Sequence, residues 1–172
     1  FFRACAETGT VINKDFTSRV ALSRPGGKGG AARSFESVAE VAPGAKNDDF
    51  GVSINGTTSP ENAYIIDGLS VNNPAYGIVG TPLSVDFVKE ISVITGGYMP
   101  EYGRSTGGVL NVVTKSGGNE FHGSAFVNFS PGSLEGSRTR IQAAGQTIQT
   151  DRNVDLIHDF GADLGGPIIK DR

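Results

Sequence analysis

The side chains that could catalyse a reaction are few and widely spaced in this sequence. His122 follows a Gly-Gly-Asn turn, and His158 lies in a segment of alternating polarity. A general base must lie within hydrogen-bonding distance of the proton it removes, and no motif here places an acid or a nucleophile beside either histidine. The sequence contains neither an HExxH metal motif nor a G-x-S-x-G nucleophile elbow. It therefore predicts a protein that is not an enzyme.

Acidic residues form two sets that could suggest a calcium site. One is the pair Asp48 and Asp49, and the other is the spaced set Asp155, Asp159 and Asp163. Neither has the D-x-[DN]-x-[DN]-G spacing of a calcium loop, and alternation along a strand explains the second set. We therefore expect no bound metal.

Two further features are also poor candidates for chemistry. Cys5 is the only cysteine, so the sequence has no CxxC pair and no internal disulfide. The Gly-rich loop at 24–30 contains Lys28 but lacks the following Ser or Thr of a nucleotide-binding loop. We expect no cofactor.

The composition favours a loop-rich β protein. There are 25 glycines in 172 residues, one methionine and no tryptophan, which argues against a helix bundle. The formal net charge is −3, from 15 basic and 18 acidic residues, so the composition does not favour a nucleic-acid partner. The sequence has no apolar run long enough for a membrane-spanning helix, and it starts without a signal peptide. We expect an internal fragment or a processed chain whose export signal lies upstream.

Local patterns predict several short elements in the first two thirds of the chain. We expect strands near 10–13, 52–55 and 63–66. Ser34 should cap a short amphipathic helix at 34–41, which Pro43 and Gly44 end. Asp67 and Gly68 should form a strand-ending turn in which Asp67 bonds its own backbone.

The segment 84–123 is the most informative part of the sequence. Ser84 should cap a short helix, which a strand follows directly. Repeated glycines then interrupt the chain before a second strand at 109–114. These features predict a βαβ-like sheet edge with a glycine-dense connection.

The order of these residues resembles the plug domain of TonB-dependent outer-membrane receptors. The resemblance covers roughly residues 11–172. The segments EYGRSTGG and TKSGGNEFHG are similar to those of the Oar-like branch, whose members carry a carboxypeptidase-regulatory-like domain ahead of the plug. That extra domain is not in this sequence. The matching elements are the strand Tyr64-Ile65-Ile66 with Asp67-Gly68, the helix and strand at 85–94, and Tyr102-Gly103, Gly107-Gly108, Leu110-Asn111 and Thr114-Lys115.

This resemblance implies an α+β fold. Residues 1–117 would be a plug made of a small mixed β-sheet with short helices, and residues 118–172 the first two antiparallel strands of a transmembrane β-barrel. The plug would occlude the lumen of a barrel of roughly 22 strands in the Gram-negative outer membrane. Its implied partners are its own barrel, an unknown ligand, and a TonB-type energy-coupling protein that binds an upstream segment.

Residues 121–130 and 155–163 alternate between apolar or small and polar residues, with Phe126 as the exception. Such alternation over about ten residues is what a tilted transmembrane strand needs. Asp155, Asp159 and Asp163 would then face a wet lumen. A soluble antiparallel sheet can show the same pattern, so a soluble β-rich extracellular or periplasmic binding module is the alternative function. The family resemblance favours the barrel.

The resemblance also implies where ligand is bound. The long uncharged loop at 70–80 corresponds to a plug loop that contacts substrate, which makes Asn72, Asn73 and Tyr76 candidates. The loop after the earlier strand supplies Asn55 and Thr57, with Thr58 beside them.

One family feature is missing. An RGP turn commonly carries an Arg that locks the plug to the barrel wall, whereas this chain has Thr95-Gly96-Gly97 there. We expect Glu90, Glu101 and Arg104 to substitute, because buried charges require partners. No residue can be assigned to a TonB box.

Overall fold

A computed structural model describes residues 8–20, 33–48, 50–134, 136, 141–143, 146–148 and 155–169. The chain divides into two compact units, residues 1–116 and 117–172. Cys5 and the loop at 24–30 lie outside the described residues. Within these ranges, no helix is long and apolar enough to cross a membrane.

A five-stranded mixed sheet forms the centre of the first unit. Its strands are β1 (Thr8–Asn13), β4 (Ala63–Ile66), β5 (Leu69–Ser70), β6 (Val88–Gly96) and β7 (Val109–Thr114). Their spatial order is β1-β6-β7-β4-β5, in which β6 is antiparallel to β1 and to β7, β7 is parallel to β4, and β5 is antiparallel to β4. This architecture confirms the predicted α+β fold with a small mixed sheet and short helices.

The βαβ-like sheet edge predicted for 84–123 is wrong. β6 and β7 are antiparallel neighbours, and both lie inside the sheet rather than at its edge. Parallel strands need a crossover that returns the chain to the starting end of the sheet. Here the connection at 97–108 contains only a 3₁₀ turn, Pro100–Tyr102, and reverses the chain directly.

The predicted caps have different outcomes. Ser84 precedes a 3₁₀ turn, Val85–Phe87, and its hydroxyl accepts a hydrogen bond from Asp86 N at 3.4 Å, as expected. Ser34 stands at the start of helix α2 (Phe35–Ala39), but its side chain makes no capping bond. Its carbonyl oxygen instead accepts from Ser37 N at 3.0 Å.

The turn after β4 also differs from its prediction. Gly68 has φ 81°, as the turn requires, but the carboxylate of Asp67 does not close the turn. It accepts hydrogen bonds from Thr114 N at 2.9 Å and Thr114 Oγ1 at 2.6 Å. These bonds from Thr114 hold the pKa of Asp67 below its usual range. Asp67 therefore joins the ends of β4 and β7.

The strand predicted at 52–55 is not part of the five-stranded sheet. It forms β3 (Val52–Ile54), which pairs with β2 (Ala45–Asn47) in a separate antiparallel hairpin. A 3₁₀ turn, Ser59–Glu61, then leads into β4. Helix α1 (Lys14–Arg19) follows β1 directly.

One face of the sheet carries the main core. Tyr64, Leu110 and Val93 lie side by side in register on β4, β7 and β6, and all are fully buried. Helix α2 covers this face, and the rings of Phe35 and Tyr64 meet edge to face at a centroid distance of 6.5 Å. The buried face thus packs β-branched and aromatic residues of the sheet against a short helix.

The described residues of the second unit form two antiparallel strand pairs. β8 (His122–Pro131) pairs with β11 (Leu156–Gly165), and β9 (Ile141–Ala143) pairs with β10 (Gln146–Ile148). The two alternating segments of the sequence are therefore paired strands, as predicted.

Gly108 provides a test of packing at the start of β7. A Cβ at this position would lie 2.7 Å from Ile54 Cδ1 and 2.9 Å from the Ile94 carbonyl oxygen, whereas a Cβ at Gly96 would have no neighbour within 4 Å. We expect Gly108→Ala to lower the free energy of unfolding by about 1–3 kcal/mol, because the buried side chains must shift. Gly96→Ala should change it by less than ~0.5 kcal/mol. Urea denaturation of the purified variants measures both, and equal effects would contradict this packing.

Candidate functional site

Three connecting segments meet at one end of the five-stranded sheet. β4 and β7 start at this end and β6 finishes there, so the segments 55–62, 71–80 and 97–108 converge. We call this the loop end. The chain leaves β7 at the opposite end, after Thr114.

Glu61 ties two of these segments together. Its carboxylate accepts from Thr58 N at 2.7 Å and from Thr58 Oγ1 at 2.9 Å, and its carbonyl oxygen accepts from Thr106 N at 3.0 Å. The bonds from Thr58 hold the pKa of Glu61 below its usual range. The segment before β4 and the segment before β7 are therefore fixed to each other.

Asn72 joins the loop at 71–80 to the start of β4. Its Nδ2 donates to Asn62 O at 2.8 Å and to Gly77 O at 2.9 Å. Its Oδ1 accepts from Tyr64 N at 2.8 Å and lies 3.4 Å from Ser70 Oγ. The amide group of this predicted ligand contact is thus bonded within the protein.

Asn73 and Tyr76 occupy the tip of the same loop. Asn73 Oδ1 accepts from Ala75 N at 2.9 Å and from Tyr76 N at 3.3 Å, which forms a side-chain-closed turn. The side chain of Tyr76 is 71% exposed. The structure therefore presents an aromatic ring to solvent at the loop end.

Asn55 and Thr57 also lie at this end, on the segment that leaves β3. Asn55 has φ 55°, and its Nδ2 donates to Thr95 O at 2.6 Å. Thr57 Oγ1 donates to Ile54 O at 2.8 Å. Four of the five predicted ligand residues, all except Tyr76, thus use their side chains in hydrogen bonds to backbone groups of the protein.

The structure separates the three residues predicted to replace the missing lock. Glu101 and Arg104 are exposed on the segment between β6 and β7 at the loop end. Glu90 is exposed near the other end of β6, where it pairs with Asn13 and Val113. These residues do not form one cluster.

The sequence analysis missed a buried polar group beneath the loop end. Asn62 is 1% exposed, with Nδ2 donating to Val52 O at 2.5 Å and Oδ1 accepting from Gly108 N at 3.0 Å. Tyr64 OH donates to Ser59 O at 3.0 Å. The turn signal before β4 could have indicated a cap here, but no local pattern indicates contacts between residues this distant in sequence.

Glu36 on α2 reaches into this polar region. Its Oε1 packs so closely over Gly51 that a Cβ there would lie 1.9 Å away, and neither Oε1 nor the fully buried Ser59 Oγ has a hydrogen-bond partner. Burial, together with the nearby Asp48, raises the pKa of Glu36 to about 7, even though hydrogen bonds from the Tyr64 hydroxyl and the Val52 backbone act to lower it. Glu36 therefore keeps its proton to a higher pH than an exposed glutamate does.

The pKa of Asp48 is shifted in the opposite direction. Burial alone would raise its pKa, but amide N–H groups of Ser59, Phe50 and Gly51 donate to its carboxylate at 2.8 Å each. Together these bonds hold the pKa of Asp48 below its usual range. Among the residues that the structure describes, no three His, Cys, Asp or Glu side chains are grouped so that they could hold a metal ion.

In the second unit, the β8–β11 ribbon has two chemically different faces. One face exposes Val127, Phe129, Phe160 and Leu164, each at least 64% exposed. The opposite face carries the cross-strand pairs Asn128–Asp159 and Ser124–Asp163. Ser124 Oγ donates to a carboxylate oxygen of Asp163.

Two details refine the predicted alternation of this ribbon. The exceptional Phe126 lies opposite Gly161, and its ring occupies the space that a Cβ at Gly161 would fill. Asp155 precedes β11, so it is not part of the acidic row of that strand.

Two family models match the chain in the order of its two units. Residues 20–109 match the TonB-dependent Receptor Plug Domain, and residues 113–172 match an Outer membrane beta barrel domain. The second match favours the membrane interpretation of β8 and β11 over the soluble module.

Two similar proteins support the same class. The chain is 60% identical over 164 residues to the TonB-dependent transporter Oar of Myxococcus xanthus, covering 95% of this chain and 16% of that protein. It is 34% identical over 113 residues to the ferric enterobactin receptor of Pseudomonas aeruginosa, covering 57% of this chain and 15% of that protein. The chain therefore spans only about one sixth of the length of these relatives.

Solved structures show the same fold. The siderophore receptor PirA from Acinetobacter baumannii gives a TM-score of 0.63 at 22% identity, covering 95% of this chain and 22% of that chain. The outer membrane transporter YddB from Escherichia coli gives 0.59 at 20% identity, covering 77% and 20%.

A mixed sheet with loops gathered at one end, followed by a ribbon with an apolar and a polar face, is thus the architecture of a plug domain followed by the start of an outer-membrane β-barrel domain. The chain belongs to the TonB-dependent receptor family.

Glu36 should make the stability of the first unit depend on pH. Its pKa rises from 4.5 in the unfolded chain to about 7 in the folded chain, so the folded state binds the proton more tightly. This contribution is fully present below the unfolded pKa and is lost as pH rises through the folded pKa. Between about pH 5 and pH 8 we expect the free energy of unfolding to fall by ~2–3 kcal/mol.

Urea denaturation of Glu36→Gln across this range measures the effect. The variant should lose most of the pH dependence and be more stable than the parent at about pH 8. Glu101→Gln, which changes an exposed carboxylate of the same unit, should leave the pH dependence in place. A parent protein whose stability is flat over this range would show that Glu36 does not titrate as described.

The two faces of the β8–β11 ribbon predict unequal effects on membrane insertion. Phe160→Arg places a charge on the apolar face, which costs roughly 2–4 kcal/mol when that face meets the centre of a bilayer. Asp159→Asn, on the other face, should be nearly silent. The folded fraction of the full receptor in outer membranes measures both, and a stronger defect for Asp159→Asn would reverse the assignment of faces.

Proposed function

We propose that this chain supplies the plug and the first barrel strands of a TonB-dependent outer-membrane transporter. Residues 1–117 form the plug, which occludes the barrel lumen and binds ligand at its loop end, and residues 118–172 begin the barrel. The two family matches support this division, because a plug match precedes a barrel match along the chain. Transport would be driven by a TonB-type energy-coupling protein through a segment that precedes the plug.

The observation that carries the ligand proposal is that three loops converge at one end of the sheet, whereas the chain leaves the first unit at the other end. β7 ends at Thr114 at one end of the sheet, and the loops at 55–62, 71–80 and 97–108 gather at the other. A plug joined to its barrel at one end is free to present the opposite end to ligand.

The chemistry of the loop end suggests how ligand is held. No charged residue lies between Ser70 and Val85, so contacts there depend on the Tyr76 ring and on amide and hydroxyl groups. Asn73 lies on the same loop as Tyr76, and Asn55 and Thr57 lie on the adjoining loop at 55–62. Because two similar proteins are named for ferric enterobactin and for siderophores, ferric siderophores are the first ligands to test.

We also propose that the exposed Glu101 and Arg104 pair with charged groups of the barrel wall at the loop end. Glu90 would make a separate contact near the other end of the sheet. Together they would replace the family lock that is missing at Thr95-Gly96-Gly97.

Tyr76 provides the direct test of ligand binding. In the full receptor, Tyr76→Ala should weaken binding of ferric enterobactin, or of the siderophore that a binding screen selects, by roughly tenfold or more, as expected for an exposed aromatic anchor. Leu69→Ala is the matched control, since Leu69 is 73% exposed at the opposite end of the sheet. Equal affinities for Tyr76→Ala and the parent, with both receptors correctly inserted, would remove Tyr76 from the site.

A further inference from the structure

We infer that Asn72 is a positioning residue that holds the loop at 71–80 in its ligand-binding shape before any ligand arrives. Its role would be to order the loop rather than to touch ligand. Only the purpose of this ordering, which is ligand binding, rests on the proposed function. The ordering itself can be measured on the chain without ligand.

The hydrogen bonds of the Asn72 side chain carry this inference. Its two donated bonds reach Asn62 O before β4 and Gly77 O after the loop tip, and its carbonyl oxygen accepts from Tyr64 N on β4. One side chain thus ties both halves of the loop to the first residues of a sheet strand. A primary amide has two donor hydrogens and one acceptor oxygen, and all three are used here.

The backbone of the loop closes around this side chain. Asn73 N donates to Ile78 O at 2.7 Å, Gly77 N to Asn73 O at 2.8 Å, and Gly80 N to Val71 O at 2.8 Å. Gly77 has φ 74°, and a Cβ there would lie 2.7 Å from Pro60 O. The loop therefore has one tightly specified backbone path, which leaves the Tyr76 ring at its exposed tip.

A second asparagine extends this connection into the sheet. The carbonyl group of Asn62 accepts from Asn72, while its buried side chain accepts from Gly108 N at the start of β7. The loop is thus fixed to β4 directly and to β7 through Asn62. Such ordering lowers the entropy that ligand binding would otherwise cost, because a loop already held by hydrogen bonds loses less freedom when ligand binds.

Asn73 offers a matched comparison for a substitution at Asn72. The Asn73 side chain accepts two hydrogen bonds through Oδ1, from Ala75 N and Tyr76 N. An aspartate can accept the same bonds, so Asn73→Asp should leave the loop ordered. Asn72→Asp makes the same change of charge at nearly constant volume, but it removes both donors and sets carboxylate oxygens against the carbonyl groups of Asn62 and Gly77.

Amide hydrogen exchange on the purified chain tests the inference. In Asn72→Asp, the amides of Asn73, Gly77 and Gly80 should exchange about tenfold faster or more, because two hydrogen bonds that close the loop are lost. In Asn73→Asp, the same amides should keep the protection of the parent. Unchanged protection in Asn72→Asp, or an equal loss in both variants, would overturn the inference.

A second variant covers the case in which Asn72→Asp unfolds the sheet, which would appear as lost protection across β6 and β7. Asn72→Ser adds no charge, and its shorter side chain cannot bridge Asn62 O and Gly77 O. It should release the loop amides while those of β6 and β7 stay protected. Loop amides that remain protected in Asn72→Ser would equally overturn the inference.

The outcome can be separated from that of the ligand proposal. Faster loop exchange in Asn72→Asp together with unchanged ligand affinity in Tyr76→Ala would support the ordering and remove the proposed contact. Unchanged loop exchange in Asn72→Asp together with weaker ligand binding in Tyr76→Ala would support the contact and reject Asn72 as the positioning residue.

Discussion

Asn62 has its side-chain amide buried where three segments of the first unit meet. It donates to Val52 O on β3 and accepts from Gly108 N at the start of β7, and its residue leads directly into β4. A buried amide without partners costs about 1–3 kcal/mol, so these backbones must come together around this side chain. The glycine at position 107 follows from the same constraint, since a Cβ there would lie 2.3 Å from Asn62 Oδ1. The positions of all three loops at the loop end depend on this contact.

Not every polar group beneath the loop end is satisfied in the same way. The Asp48 carboxylate accepts three backbone N–H groups, whereas Glu36 Oε1 and Ser59 Oγ are buried without partners. The cost of burying a charge is therefore concentrated at Glu36, where protonation relieves it. That cost falls on the packing of α2 against the β2–β3 hairpin, while the Asn62 amide itself carries no titratable group.

The sequence was sufficient to locate most elements but not to connect them. Alternation and β-branched residues predicted β4, β7, β8 and β11 nearly at their observed bounds, because burial of one face imposes a period of two. The direction in which two strands pair depends on the path of the chain between them, and local periodicity carries no information about that path. The antiparallel pairing of β6 with β7 and the separate β2–β3 hairpin were therefore missed. The family resemblance supplied the fold class that periodicity alone left open. The bonds of Asp67 to Thr114 and of Asn62 to Gly108 join residues more than forty positions apart, and no local signal indicates them.

Polar side chains have different roles in the two units. In the first unit, the side-chain amides of Asn62 and Asn72 are turned inward and bonded to backbone groups, whereas the Tyr76 ring is exposed at the loop end. In the ribbon of the second unit, polar side chains pair across β8 and β11 on one face, and the other face exposes large apolar side chains. Water on both faces would leave that apolar surface exposed at a high cost, whereas hydrocarbon on one face and water on the other suit each set of side chains. The two faces of this ribbon thus differ because one suits hydrocarbon and the other suits water. The asparagines of the first unit turn inward because water is the only solvent around that unit.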